Sequence, residues 1–196
     1  MKDLSDLTII TAGGTIDAFE YDYQKERVVS FRENPVVLKI LQNCIPGLEW
    51  TLTDKPEEAP GSTIYCLPPK DSSQMTDADR ERIANLCLTS PNPNILITHG
   101  TDTMIETGLA ILHKLRECKM EEHKMVALTG SLPYSTHTQL ATFNIASALE
   151  TVRGNLLRAG VFIAMYGRVI PVEWARKVRG EKFTYFSHLI SKDQDF

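Results

Sequence analysis

Four short apolar runs limit most strongly how this chain can fold: residues 7–12, 94–98, 125–129 and 161–165. Each is apolar at consecutive positions and rich in β-branched residues, so each reads as a strand buried on both faces. Longer segments with helical periodicity lie between them. That alternation is the rhythm of βα units, and it predicts a three-layer α/β fold built on a doubly wound, mainly parallel sheet. A chain of 196 residues suits a single domain spanning 1–196 around one such sheet.

The helical segments carry their own punctuation. Asn34-Pro35 reads as a helix start that runs through Val37, Leu38 and Leu41 to the stop at Pro46-Gly47. Thr76 to Asp79 opens another helix, with Ile83, Leu86 and Cys87 facing inward. Thr103 and Glu106 have the spacing of a capping box ahead of an Ile105, Leu109, Leu112, Leu115 stripe. A further helix over about 139–153 presents Ile145, Leu149 and Val152. Between the first strand and the first helix, Asp17 to Arg32 is polar, aromatic and too long for a tight turn, as a hairpin flap over a site would be. The aromatic tail after Gly180, with Phe183, Tyr185, Phe186 and Phe196, reads as packed rather than free.

Charge excludes several classes of function. Lys and Arg total 21 against 25 Asp and Glu, for a net charge of -4, without a basic cluster. A nucleic-acid groove or a membrane-surface role is therefore not expected. Acidic residues interrupt the start of the chain and no apolar run reaches the ~18 residues of a membrane span, so a cytoplasmic protein is expected. Cys44, Cys66, Cys87 and Cys118 are widely spaced and read as buried, reduced thiols. The five histidines form no ligand pattern, so no metal is expected.

Three of the four strands end in glycine beside hydroxyl residues: Gly13-Gly14-Thr15, Gly100-Thr101-Asp102 and Thr129-Gly130-Ser131. In an open parallel sheet these turns share the carboxyl edge, where ligands bind. Glycine lets backbone approach a ligand closely, and the amides that follow attract negative charge. Any one of these turns alone reads equally as a strand exit or a helix cap. The phosphate-binding patterns G-x-x-x-x-G-K-[ST] and G-x-G-x-x-G are absent, as is the G-x-S-x-G elbow.

Taken together, Thr11-Ala12-Gly13-Gly14-Thr15-Ile16-Asp17, Asp71-Ser72, residues 97–104 (ITHGTDTM) and Leu128-Thr129-Gly130-Ser131 resemble the signatures of bacterial-type L-asparaginases. They occur in that family's order and span roughly residues 7–180, which corresponds to the family's amino-terminal domain. The chain resembles a short, single-domain branch without the carboxyl-terminal domain. The resemblance implies hydrolysis of L-asparagine to L-aspartate and ammonia, without a cofactor, through an acyl-enzyme on a threonine. On that resemblance Thr15 is the nucleophile and Thr101 the second catalytic threonine, paired with Lys177. Asp102 receives the substrate α-amine, and Ser72, with Ser73 and Gly100 beside it, holds the α-carboxylate. Tyr21 is the flap tyrosine, with Tyr23 as the alternative. A homo-oligomer acting on a small amino-acid substrate is implied as well.

The chemistry suits those roles. A threonine hydroxyl is a poor nucleophile until a neighbouring base takes its proton, and a lysine or a tyrosinate can do so. Backbone amides at glycine turns can hold a developing oxyanion, each worth about 3 kcal/mol. Some positions depart from the family pattern: Ala12 replaces a threonine, the stretch after Gly130 is one residue short, Leu140 replaces an acid, and Ser73-Gln74 differs from the common form. These departures keep two alternatives open, an amidase for glutamine or another amide and a non-catalytic amino-acid-binding member.

Overall fold

A computed structural model describes residues 7–22, 24–25, 27–32, 35, 38–40, 51–52, 63–131, 138–154, 157–179 and 184–188. Its first half contains β1 (Leu7–Gly13), β2 (Ala18–Asp22), β3 (Arg27–Phe31), β4 (Thr51–Leu52) and β5 (Thr63–Lys70). Then come α1 (Asp77–Thr89), β6 (Asn94–Thr98), α2 (Met104–Glu117), β7 (Met125–Thr129) and α3 (Thr138–Arg153). Strands β8 (Gly160–Met165), β9 (Arg168–Pro171), β10 (Ala175–Arg179) and β11 (Thr184–His188) complete the order.

Seven of these strands form one sheet in the order β4-β5-β1-β6-β7-β8-β9, parallel except for β9. The antiparallel edge follows from the two-residue turn Tyr166-Gly167, whose φ values of 54° and 70° suit a tight hairpin. The apolar runs are buried on both faces because helices cover both. One face packs Ile10, Ile95, Ile97, Val126 and Leu128 against Ile83 and Cys87 of α1 and Ile111 and Leu115 of α2. The other packs Ile9, Leu96, Ala127 and Phe162 against Ala141, Ile145, Leu149 and Val152 of α3. The expected three-layer α/β fold is present.

The order also locates a crevice. From β1 the chain crosses to β5 on one side, then returns through α1 to β6 on the other side of β1. Connections leaving β1 and β6 therefore diverge, which opens the sheet's carboxyl edge between those two strands. The site is built there.

Several local expectations are corrected. The Thr103 hydroxyl caps nothing; it donates to the Ser72 carbonyl at 2.7 Å. The capping box sits instead at α1, where Thr76 and Asp79 bond reciprocally. Along α2, Leu112 and Leu115 are buried, whereas Ile105 and Leu109 are only half-buried and Met104, Gly108 and Ile111 fill the inner face. Likewise Leu86 of α1 is half-buried. The thiols do not share one environment: Cys87 is buried, and burial pushes it up to about 12, while Cys66 and Cys118 are exposed. The expected helix after Pro35 is helical at residues 38–40, with its remainder outside the described residues, as are Cys44, Phe183 and Phe196. Among the described residues no helix is long and apolar enough to cross a membrane.

Candidate active site

The crevice is lined by backbone before it is lined by side chains. Gly14 adopts φ 83°, ψ -177°, a conformation almost confined to glycine. Its Cα lies so close to the β6 exit that an added Cβ would sit 2.3 Å from the Gly100 nitrogen. A Cβ on Gly100 would in turn lie 2.6 Å from Ser72 Oγ, and one on Gly130 would lie 2.3 Å from the His99 carbonyl oxygen. Glycine at these exits therefore lets the ends of β1, β6 and β7 and the Ser72 turn meet without intervening side chains. Thr15 and Thr101 each follow one of the two touching glycines. They leave a common point, Thr15 half-buried and Thr101 almost fully so.

Lys177 reaches this point from β10. Its Nζ donates to Thr101 Oγ1 at 2.9 Å and to Asp102 Oδ1 at 2.6 Å. Its side chain is 13% exposed and that of Asp102 35%, so the pair sits at the mouth of the crevice with the lysine beneath. A lysine held between a hydroxyl and a carboxylate polarises the first while its charge is balanced by the second. With Thr101 Oγ1 accepting from Lys177, the threonine's own proton is directed elsewhere.

Ser72 joins the same group from the short turn Ser72–Gln74 that follows β5. It is buried, and its hydroxyl accepts from the Asp102 amide at 3.1 Å, which leaves its own proton as a donor of the kind a carboxylate needs. The Ser73 hydroxyl turns away from this group and donates to Asp71 Oδ1 at 2.7 Å. The notion that amides at the glycine turns serve an oxyanion also narrows. Gly14 N–H already donates to the Lys70 carbonyl at 2.9 Å, and the Asp102 amide is bonded to Ser72.

Two residues beneath the crevice were not assigned a role by the sequence reading. His99 is fully buried; its Nδ1 lies 2.7 Å from the Gly100 carbonyl and its Nε2 3.0 Å from Thr107 Oγ1. A carbonyl only accepts, so Nδ1 carries the proton and Nε2 accepts from Thr107. Burial drives the imidazole down to about 4, which keeps it neutral at ordinary pH. Asn144 of α3 fixes the β7 exit: its Nδ2 donates to the Gly130 carbonyl at 2.9 Å and its Oδ1 accepts from the Tyr166 amide at 2.9 Å. The flap expected between Asp17 and Arg32 is the β2–β3 hairpin. Tyr21 occupies β2 by its backbone; its side chain, like all of Tyr23, lies outside the described residues. Among the described residues no three His, Cys, Asp or Glu side chains gather as a metal site.

The model of the asparaginase amino-terminal domain matches residues 6–192. The chain belongs to the asparaginase family. Solved structures of similar fold include L-asparaginase I from Vibrio cholerae, 25% identical over 94% of this chain and 51% of that one, with a TM-score of 0.62. A probable cytoplasmic L-asparaginase from Campylobacter jejuni is 21% identical over 90% of this chain and 50% of that one (TM-score 0.63). The thermostable L-asparaginase from Thermococcus kodakarensis is 22% identical over 93% and 50%, also with a TM-score of 0.63. The chain thus spans about half the length of these proteins. No curated protein matches it in a sequence search.

Proposed function

We propose that this chain hydrolyses the side-chain amide of L-asparagine, releasing ammonia and L-aspartate at the β1–β6 crevice. Membership of the asparaginase family supports the reaction class, and likeness to solved L-asparaginases supports the substrate. The observation that carries the reading is Lys177 bridging Thr101 and Asp102, beside the turn that bears Thr15.

In this reading Thr15 Oγ attacks the amide carbon while a base takes its proton, with Tyr21 the candidate from the flap. The carbonyl π electrons collect on oxygen and then expel the amide nitrogen, which leaves as ammonia after gaining a proton. Water cleaves the resulting ester in the same way and restores the Thr15 hydroxyl. Thr101, polarised by Lys177, hands protons to the nitrogen or takes them from water. Asp102 accepts from the α-ammonium group, and the Ser72 hydroxyl, together with the Gly100 amide, receives the α-carboxylate, while Ser73 gives its own amide and hydroxyl to Asp71. A cytoplasmic location fits the probable cytoplasmic L-asparaginase from Campylobacter jejuni, and a homo-oligomer fits the family resemblance.

Thr15→Ala and Thr101→Ala test this directly, with ammonia release from asparagine as the readout. Each should lose at least a thousandfold in kcat while keeping the wild-type melting temperature within a few degrees. Full activity in both would refute the assignment. Ammonia from glutamine at a higher kcat/KM would reassign the substrate.

A further inference from the structure

Asp71 stands outside the roles assigned above, yet both oxygens of its carboxylate accept hydrogen bonds beside the crevice. It is 6% exposed. Oδ1 accepts from the Ser73 amide at 2.9 Å and from the Ser73 hydroxyl at 2.7 Å, which closes the turn that presents Ser72. Oδ2 faces the other way and accepts from the Val28 amide at 2.8 Å, across 43 residues of sequence. Val28 is buried in β3 and pairs with Tyr21 of β2. A cap needs only one of these oxygens. The second ties the hairpin to the turn, and it does so at the register position of the flap tyrosine.

Other ties hold the described part of the hairpin at its root. At its base the Arg32 amide donates to the Asp17 carbonyl at 3.0 Å. Farther out, Phe19 and Val29 are exposed, at 72% and 55%. A two-stranded hairpin is marginal by itself in water. Its position over the crevice therefore depends on what fastens it to the sheet, and the buried bond to Asp71 is such a fastening.

We propose that Asp71 is a positioning residue that locks the β2–β3 hairpin to the Ser72 turn, so that the flap and the carboxylate-binding serine keep one relative geometry. It touches neither reacting atoms nor substrate; it acts through Val28 on the flap and through Ser73 on Ser72. This inference rests on the hydrolytic reading above for its catalytic consequence, but not for the lock itself.

The test uses the full chain with Asp71→Asn and, separately, Val28→Pro. Asparagine has the size of aspartate but retains one accepting oxygen, so it keeps the turn and loses the lock. Proline removes the Val28 donor and leaves Asp71 intact; the Val28 N–H points away from β2, so no ladder bond is lost. Amide exchange is read at Val28 in Asp71→Asn, and at Asp22 and Arg27, the adjacent pair of the β2–β3 ladder, in both variants. The lock predicts exchange at least tenfold faster there, with no change at Ile9 and Leu96 in the sheet. On asparagine it predicts kcat at least tenfold lower with KM within threefold, because the Ser72 turn is kept. Unchanged exchange in the hairpin, or faster exchange throughout the sheet, overturns the proposal; so does a rise in KM with kcat intact. If the wild type releases no ammonia, the hydrolytic reading fails, and the exchange comparison still decides whether Asp71 holds the hairpin.

Discussion

Gly14 and Gly100 touch backbone to backbone, an added Cβ on the first reaching 2.3 Å from the nitrogen and 2.4 Å from the Cα of the second. Neither neighbour is a flexible side-chain tip, so nothing can swing aside. Gly14→Ala also places a side chain at φ 83°, ψ -177°, where the backbone alone costs about 1–3 kcal/mol. Together these should destabilise the chain by at least about 3 kcal/mol and part Thr15 from Thr101. Urea unfolding of Gly14→Ala against wild type measures the first effect. A midpoint shift worth less than about 1 kcal/mol would mean the two exits can separate freely.

Lys177→Met separates catalysis from stability at the same point. The lysine's partner Asp102 is 35% exposed, so the ion pair contributes about 1 kcal/mol or less to folding. Its removal should leave the melting temperature within a few degrees. Ammonia release should fall at least a thousandfold, because Thr101 loses the donor that polarises it. A melting curve and a steady-state assay on one preparation check both halves.

The layers of this fold were legible because the parallel strands must bury both faces, and Leu7, Ile9, Leu96, Ile97, Val126 and Leu128 announce that without interruption. Strand β5 escaped because Pro68 and Pro69 sit within it. They sit where the β1–β5 register shifts, between the Thr11–Cys66 and Gly13–Lys70 pairs, so the regular ladder with β1 does not need their missing donors. Strand β10 escaped for a different reason: its alternation is charged, and Lys177 is drawn inward by Thr101 and Asp102 rather than by apolar burial. The glycine exits were legible as a set, since each ends a buried strand. Asp71 was visible only as part of a motif. Its second oxygen serves a residue 43 positions earlier, and such a pairing exists only after the hairpin folds back.

Lys124 bears on stability alone. Although it is a lysine, it is buried, and its Nζ donates to the Ser90 carbonyl at 2.6 Å and the Asn92 carbonyl at 3.0 Å. It thereby joins the end of α1 to the start of β7. Burial lowers its proton affinity, so the ammonium is tolerated only for those bonds. Lys124→Met fills the space but takes the donor from both carbonyls, at a cost of about 2 kcal/mol. Denaturant titration should show the midpoint fall with an unchanged slope, and kcat should stay at the wild-type value.

His99 gives the chain a defined response to acid. Its imidazole lies at about 4 in the folded protein, against 6.5 for an ordinary histidine, because burial penalises the charged ring. Between those values the unfolded chain binds a proton that the folded chain refuses, so stability rises with pH across this window and falls on acidification through it. The gap corresponds to about 3 kcal/mol, most of it lost by pH 4. His99→Asn keeps a donor near the Gly100 carbonyl and removes the titrating ring. Urea unfolding from pH 7 to pH 4 should therefore show a steeper loss in wild type than in the variant, the curves converging by up to about 3 kcal/mol. Parallel curves would assign the acid sensitivity to other groups and leave His99 a spacer beneath the Gly100 turn.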